Sequence, residues 1–126
     1  MSKRILIAED EQMSREMLVT VATIYGYEVV AVCDGIELLT TAANEHFDAI
    51  ITDLMMADLD GAAATEILKL QGNNVPVIAL TALAPEELQL VQDKFTRIYQ
   101  KPCNFDEMFC YIESLIGNAR VEKITS

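Results

Sequence analysis

Carboxylates gather at two places in this sequence, in Glu9-Asp10-Glu11 and at Asp53, and a hydroxyl at Thr81 and an ammonium at Lys101 follow further along. Each stands at the end of a short, strand-like run. Brought into one pocket, Glu9, Asp10 and Asp53 would crowd negative charge that cannot all ionise comfortably unaided. A hard divalent cation resolves the conflict. Mg²⁺ takes oxygen ligands, keeps several waters and commonly uses one or two carboxylates plus a phosphate. Lys101 adds a compact positive charge that can pair with Asp53 or a phosphoryl oxygen, and Thr81 adds a hydroxyl donor. Such a set suits phosphoryl transfer, in which catalysis is mostly positioning and charge neutralisation, with Asp53 as the nucleophile that forms an acyl phosphate. Singly the signals are weak: an acidic pair after a strand is often a helix cap, and Asp10 could serve so ahead of Met13.

The elements that must hold these residues follow from the pattern of apolar positions. Arg4 to Ala8 reads as a strand covered on both faces. Met13 to Tyr25 carries Leu18, Val21, Ala22 and Tyr25 at helical spacing, and Gly26 ends it. Val29 to Val32 is a short β-branched strand, Ile36 to Glu45 a helix, and Ala49 to Thr52 the third strand. Gly61 to Gln71 is helical with Ala62, Ile67 and Leu70 as its apolar positions, and Val75 to Leu80 is the fourth strand. Pro85 with Glu86 and Glu87 opens a helix striped by Leu88, Val91 and Phe95. Arg97 to Gln100 is a weak fifth strand. Asn104 caps a last helix in which Phe105, Phe109, Ile112 and Ile116 share a face, and Gly117 closes it. The alternation predicts an α/β fold: a five-stranded parallel sheet, doubly wound, with helices on both faces. In such sheets the site lies at the carboxyl ends of the strands. Four different strands each deliver a charged or polar residue there.

Composition narrows the function classes. A 126-residue chain that is 52% apolar supports one domain with a real core. No apolar stretch approaches the ~20 residues of a membrane span, and the N-terminus lacks a signal-peptide core, so a soluble cytoplasmic protein is expected. A net charge of −11 opposes direct binding to nucleic acid. Cys33, Cys103 and Cys110 lack zinc-site spacing and read as small buried apolar residues. His46, the single histidine, reads as solvent-exposed or capping.

The ordered set Ile5-Leu6-Ile7-Ala8-Glu9-Asp10-Glu11, Asp53-Leu54-Met55-Met56 with Asp60-Gly61, Ala79-Leu80-Thr81-Ala82 and Lys101-Pro102 resembles the receiver domains of two-component response regulators. The resemblance covers about residues 3–118. It implies the flavodoxin-like strand order 2-1-3-4-5 and a phospho-switch rather than an enzyme. Asp53 would be the phosphoacceptor. Asp10, Glu9, Asp53 and the Met55 backbone carbonyl would hold Mg²⁺. Lys101, through a cis Lys101–Pro102 bond, and Thr81 with the Ala82 amide would contact the phosphoryl group. The donor would be a sensor histidine kinase or a histidine phosphotransfer protein. Output would run through the fourth helix, fifth strand and fifth helix to a downstream protein or a fused effector, with homodimerisation left open. The domain would occupy residues 1–118, with 119–126 a polar tail or the start of a linker.

Two positions and one segment depart from the family pattern. Ala57 replaces a usual Pro, Ile98 stands where an aromatic switch residue is usual, and the segment from Thr81 to Lys101 is short, so a shortened or reoriented fourth helix is expected. Met55 and Leu83, both apolar, occupy places that flank the hydrolytic water in the family and imply a long-lived acyl phosphate. Met13, Met17, Thr20 and Ile24 resemble the face that receivers offer to phosphodonor helices. A haloacid-dehalogenase-type phosphatase would need an Asp at Met55, and a dinucleotide fold would need a glycine-rich first turn. The remaining alternative is a receiver-like docking module that works without phosphorylation.

Overall fold

The computed structural model describes residues 2–117; the expected tail at 119–126 lies outside them. Five strands alternate with helices: β1 Arg4–Ala8, α1 Gln12–Ile24, β2 Glu28–Val32, α2 Gly35–Asn44, β3 Ala49–Thr52, α3 Gly61–Leu70, β4 Val77–Thr81, α4 Pro85–Leu88, β5 Arg97–Gln100 and α5 Phe105–Ile116. A 3₁₀ turn, Gln92–Lys94, lies between α4 and β5. All pairings are parallel, and the order is β2-β1-β3-β4-β5. This is the predicted doubly wound sheet, with β3 at its centre.

Side-chain alternation along the strands divides the core in two. Leu6, Ala8, Ile50, Val77 and Ala79 face α2, α3 and α4, together with Leu38, Leu68, Leu88 and Phe95. Ile5, Ile7, Ala49, Ile51, Ile78 and Leu80 face α1 and α5, against Leu18, Ala22, Phe109 and Ile112. Burial on both faces explains why β1, β3 and β4 read as near-continuous apolar runs. Asn104 caps α5 as predicted, its Oδ1 accepting from the Glu107 N–H at 3.1 Å. Gly26, at φ 94°, turns the chain after α1.

Four expectations need correction. The buried face of α3 is Gly61, Ala64, Thr65 and Leu68, while Leu70 is exposed. Strand β4 begins at Val77 and includes Thr81. The fourth helix is shortened as expected, to a single turn, but the stripe expected along it does not form. Thr96 already pairs with Val77 through its N–H at 2.9 Å, so residues 82–95 must complete the whole crossover, and only Leu88 and Phe95 of the expected stripe are buried. Finally, Cys33 and Cys110 are exposed and Cys103 is half-buried, because Cys33 follows an edge strand and Cys110 lies on the solvent side of α5.

Candidate functional site

Parallel strands end together, and here the ends of β1, β3, β4 and β5 meet. Glu9 follows β1 directly, its N–H donating to the Val32 carbonyl at 3.1 Å, and its side chain is almost wholly buried. Asp53 follows β3, its N–H donating to the Ala8 carbonyl at 3.0 Å. These two bonds extend the ladders one residue beyond the strands and set the carboxylates side by side. Asp10, next in the chain, is exposed. Carboxylate oxygens of Glu9, Asp10 and Asp53 all lie within 4.8 Å of one another.

Lys101 joins the group from β5. Its Nζ donates to Asp53 Oδ2 at 2.8 Å and to Glu9 Oε1 at 2.9 Å. Burial pushes the Glu9 carboxyl above the ordinary carboxylate range, and Asp53 adds to the push, while Lys101 and the Glu11 N–H pull it back. For Lys101 burial alone would lower the pKa, but the bonds to Asp53 and Glu9 together hold it above the ordinary lysine value. The Lys101–Pro102 peptide is cis, as predicted.

The backbone around Asp53 is closely specified. Asp53 Oδ1 accepts the Met55 N–H at 3.1 Å, and the Thr52 hydroxyl donates to the Asp53 carbonyl at 2.8 Å. Gly61 opens α3 against that carbonyl: a Cβ there would stand 2.1 Å from the Asp53 oxygen. Asp60 caps α3 through the Ala63 N–H at 2.8 Å. Glycine is therefore required at position 61 by contact, and the Asp60-Gly61 pair fixes how closely α3 approaches the pocket.

Thr81 is fully buried, and its Oγ1 accepts the Leu83 N–H at 3.1 Å; Ala82, between them, is exposed. Ile98 packs on the α4 side of the sheet. Tyr99 turns to the opposite face, edge-on to Tyr111 at 6.5 Å. Neither puts an aromatic ring beside α4.

Sequence reasoning missed three parts of this site. Glu11, not Asp10, caps α1, taking the Ser14 N–H at 2.8 Å and the Met13 N–H at 3.2 Å. Asp10 is thereby released from the capping duty that was its plainest alternative. Arg15 donates to the Glu9 carbonyl at 2.9 Å and to the Asp10 carbonyl at 3.3 Å, steadying the acidic turn. Gln100 reaches the loop after β4, donating to the Leu83 carbonyl at 2.9 Å. Ser14, three residues after Glu11, was the available signal for the cap; no local pattern announces the other two.

The response regulator receiver domain family matches residues 5–113. The chain belongs to this family. The receiver is 38% identical over 124 residues to the response regulator MprA of Mycobacterium bovis, covering 97% of this chain and 54% of that protein. It is 34% identical over 131 residues to the probable transcriptional regulator ycf27 of Porphyridium aerugineum, covering 98% of this chain and 51% of that protein. The chain thus spans about half the length of the curated relatives it matches. Among solved structures, the receiver resembles the receiver domain of the sensor histidine kinase PA1611 of Pseudomonas aeruginosa, which has a magnesium ion coordinated in its active-site cleft. The TM-score is 0.86 at 30% identity, covering 93% of this chain and 99% of that one. The response regulator TrrA of Thermotoga maritima, in complex with Mg²⁺ and BeF, follows with a TM-score of 0.83 at 27% identity, covering 90% and 98%. Receivers are signalling domains, and among the described residues no helix is long and apolar enough to cross a membrane.

Proposed function

We propose that this receiver is a Mg²⁺-dependent phospho-switch that accepts a phosphoryl group on Asp53. The observation that carries the reading is the convergence of three carboxylates with the Lys101 ammonium, which bonds both Asp53 and Glu9. Clustered hard oxygen donors with an exposed member suit Mg²⁺, which keeps waters and prefers few protein carboxylates. Glu9, Asp10, Asp53 and the Met55 carbonyl would hold it. Bound there, Mg²⁺ supplies charge neutralisation for the transferring group.

The remaining residues follow from chemistry. An Asp53 carboxylate oxygen attacks phosphorus, the bond from phosphorus to the donor nitrogen or oxygen breaks, and the electron pair leaves with the donor. Lys101, already on Asp53, balances the added charge, and Thr81 with the Ala82 N–H takes up a phosphoryl oxygen. The Met55 N–H keeps Asp53 aligned. The donor is a histidine kinase or phosphotransfer protein in the cytoplasm. An apolar groove of about 310 Å³ between α1 and the β5–α5 loop, lined by Met13, Met17, Leu18, Pro102 and Phe105 beside Lys101, suits a donor helix. Output passes through α4, β5 and α5 to a protein target or a fused effector.

Intact-mass analysis after incubation with acetyl phosphate and Mg²⁺ tests the reading. One phosphoryl group should be gained, and the gain should vanish with EDTA and in Asp53→Asn. A folded protein that gains none would favour a docking module that works without phosphorylation.

A further inference from the structure

The loop after β4 is tied to β5 by a side chain that the phosphorylation chemistry does not use. Gln100 ends β5, exposed and next to Lys101. Its amide nitrogen donates to the Leu83 carbonyl at 2.9 Å. The Leu83 N–H donates to Thr81 Oγ1 at 3.1 Å, and the Thr81 carbonyl accepts the Lys101 N–H at 2.7 Å. Residues 81–83 and 100–101 therefore close a ring of three hydrogen bonds across two strand ends. Within that ring the Thr81 oxygen is committed to its own loop.

Beyond these bonds the loop is held by apolar packing alone, Leu83 and Leu88 resting on the core. The α4 helix is one turn long, started by Pro85 and by the Ala84 N–H donating to Glu87 Oε1 at 3.0 Å. Ile98, half-buried toward α4, offers no polar group. A hydroxyl that is to swing toward a new anion must carry or release the Leu83 N–H. Any shift of Leu83 then strains the bond its carbonyl receives from Gln100.

We infer that Gln100 is a positioning residue: its bond to the Leu83 carbonyl latches the β4–α4 loop, and with it Thr81, in the unphosphorylated arrangement. The inference rests on the reading of Asp53 as phosphoacceptor and Thr81 as the group that follows the phosphoryl oxygens. A latch that holds only one of two states sets their ratio by its own free energy. Gln100→Glu keeps the shape, removes the donor and sets a carboxylate against a carbonyl. Gln100→Lys keeps a donor on a side chain long enough to reach. Opening the latch eases adoption of the phosphorylated arrangement, so the affinity for a phosphoryl mimic rises.

The experiment titrates the full chain with beryllium fluoride at saturating Mg²⁺, beside acetyl phosphate mass analysis of the same samples. Gln100→Glu should bind about two- to five-fold more tightly than the parent, the size expected for one net neutral hydrogen bond. Gln100→Lys should return to the parent value. In a Thr81→Ala background Gln100→Glu should change nothing, because the hydroxyl that couples loop and anion is gone. Equal or weaker binding by Gln100→Glu, or an undiminished effect without the Thr81 hydroxyl, overturns the latch while leaving the Asp53 reading intact. A parent chain that neither gains mass nor binds the mimic overturns the Asp53 reading and the latch together.

Discussion

Replacing Lys101 by Met removes the cation bonded to both Glu9 and Asp53, of which Glu9 has a side chain 1% exposed. Breaking a buried ion pair typically costs about 3–5 kcal/mol, and the partial exposure of Lys101 argues for the lower end. Protonation sets a ceiling. Burial already raises the Glu9 pKa, so without Lys101 the folded chain can take up a proton at Glu9 instead of holding bare charge. At pH 7 that proton costs about 3.7 kcal/mol, from an ordinary glutamate value of about 4.3 and about 1.36 kcal/mol per pH unit. At pH 5 the same step costs about 1 kcal/mol. The folded variant then binds a proton that the unfolded chain lacks, so its stability falls as pH rises above the unfolded glutamate value. Urea denaturation in EDTA should show Lys101→Met weaker than the parent by about 2–4 kcal/mol at pH 7 and by no more than about 1 at pH 5. Mg²⁺ should narrow the gap at pH 7, since it neutralises the same carboxylates. An equal deficit at both pH values would refute the account and make Lys101 a packing residue.

Four further outcomes are expected. Gly61→Ala forces a methyl to within 2.1 Å of the Asp53 carbonyl oxygen, against about 3.5 Å for an ordinary contact; a loss of about 1–3 kcal/mol in urea melts, with slowed acetyl phosphate labelling, is the prediction. The Tyr27 hydroxyl is buried without a partner, so Tyr27→Phe should gain about 1 kcal/mol. Burial also pushes the Tyr27 phenol up to about 12; the unfolded chain sheds that proton from about pH 10, stability falls between those values, and Tyr27→Phe should flatten part of the fall. The Met55→Asn, Leu83→Glu double variant should lose its acyl phosphate faster than the parent in a decay time course, and an unchanged lifetime would remove the apolar pair as its cause. Met17→Glu, on the exposed flank of α1, should slow transfer from a cognate phosphodonor while leaving acetyl phosphate labelling unchanged; equal slowing of both would argue against a donor face.

The division between what the sequence made legible and what it hid follows the range of the forces involved. Strand ends are local facts. Glu9 follows Ala8 and Asp53 follows Thr52, so once the parallel sheet was inferred from alternation, the convergence of Glu9, Asp10, Asp53, Thr81 and Lys101 at one edge followed. The α5 stripe was equally plain, because Phe105, Phe109, Ile112 and Ile116 recur at helical spacing. Helix α3 has no such contrast. In Gly-Ala-Ala-Ala-Thr-Glu-Ile the apolar residues run all round, and the phase is set by the approach of Gly61 to the Asp53 carbonyl, a contact between elements. The short Thr81–Lys101 segment announced a shortened α4, but the point at which it stops was hidden for the same reason. Its sequence opens a good helix, but the pairing of Thr96 with Val77 fixes where β5 must begin and stops the helix after one turn. That distant constraint leaves the loop after Thr81 with few bonds of its own. Where helix propensity and sheet register compete for so short a crossover, register prevails, and a single glutamine at the end of β5 becomes able to hold the loop.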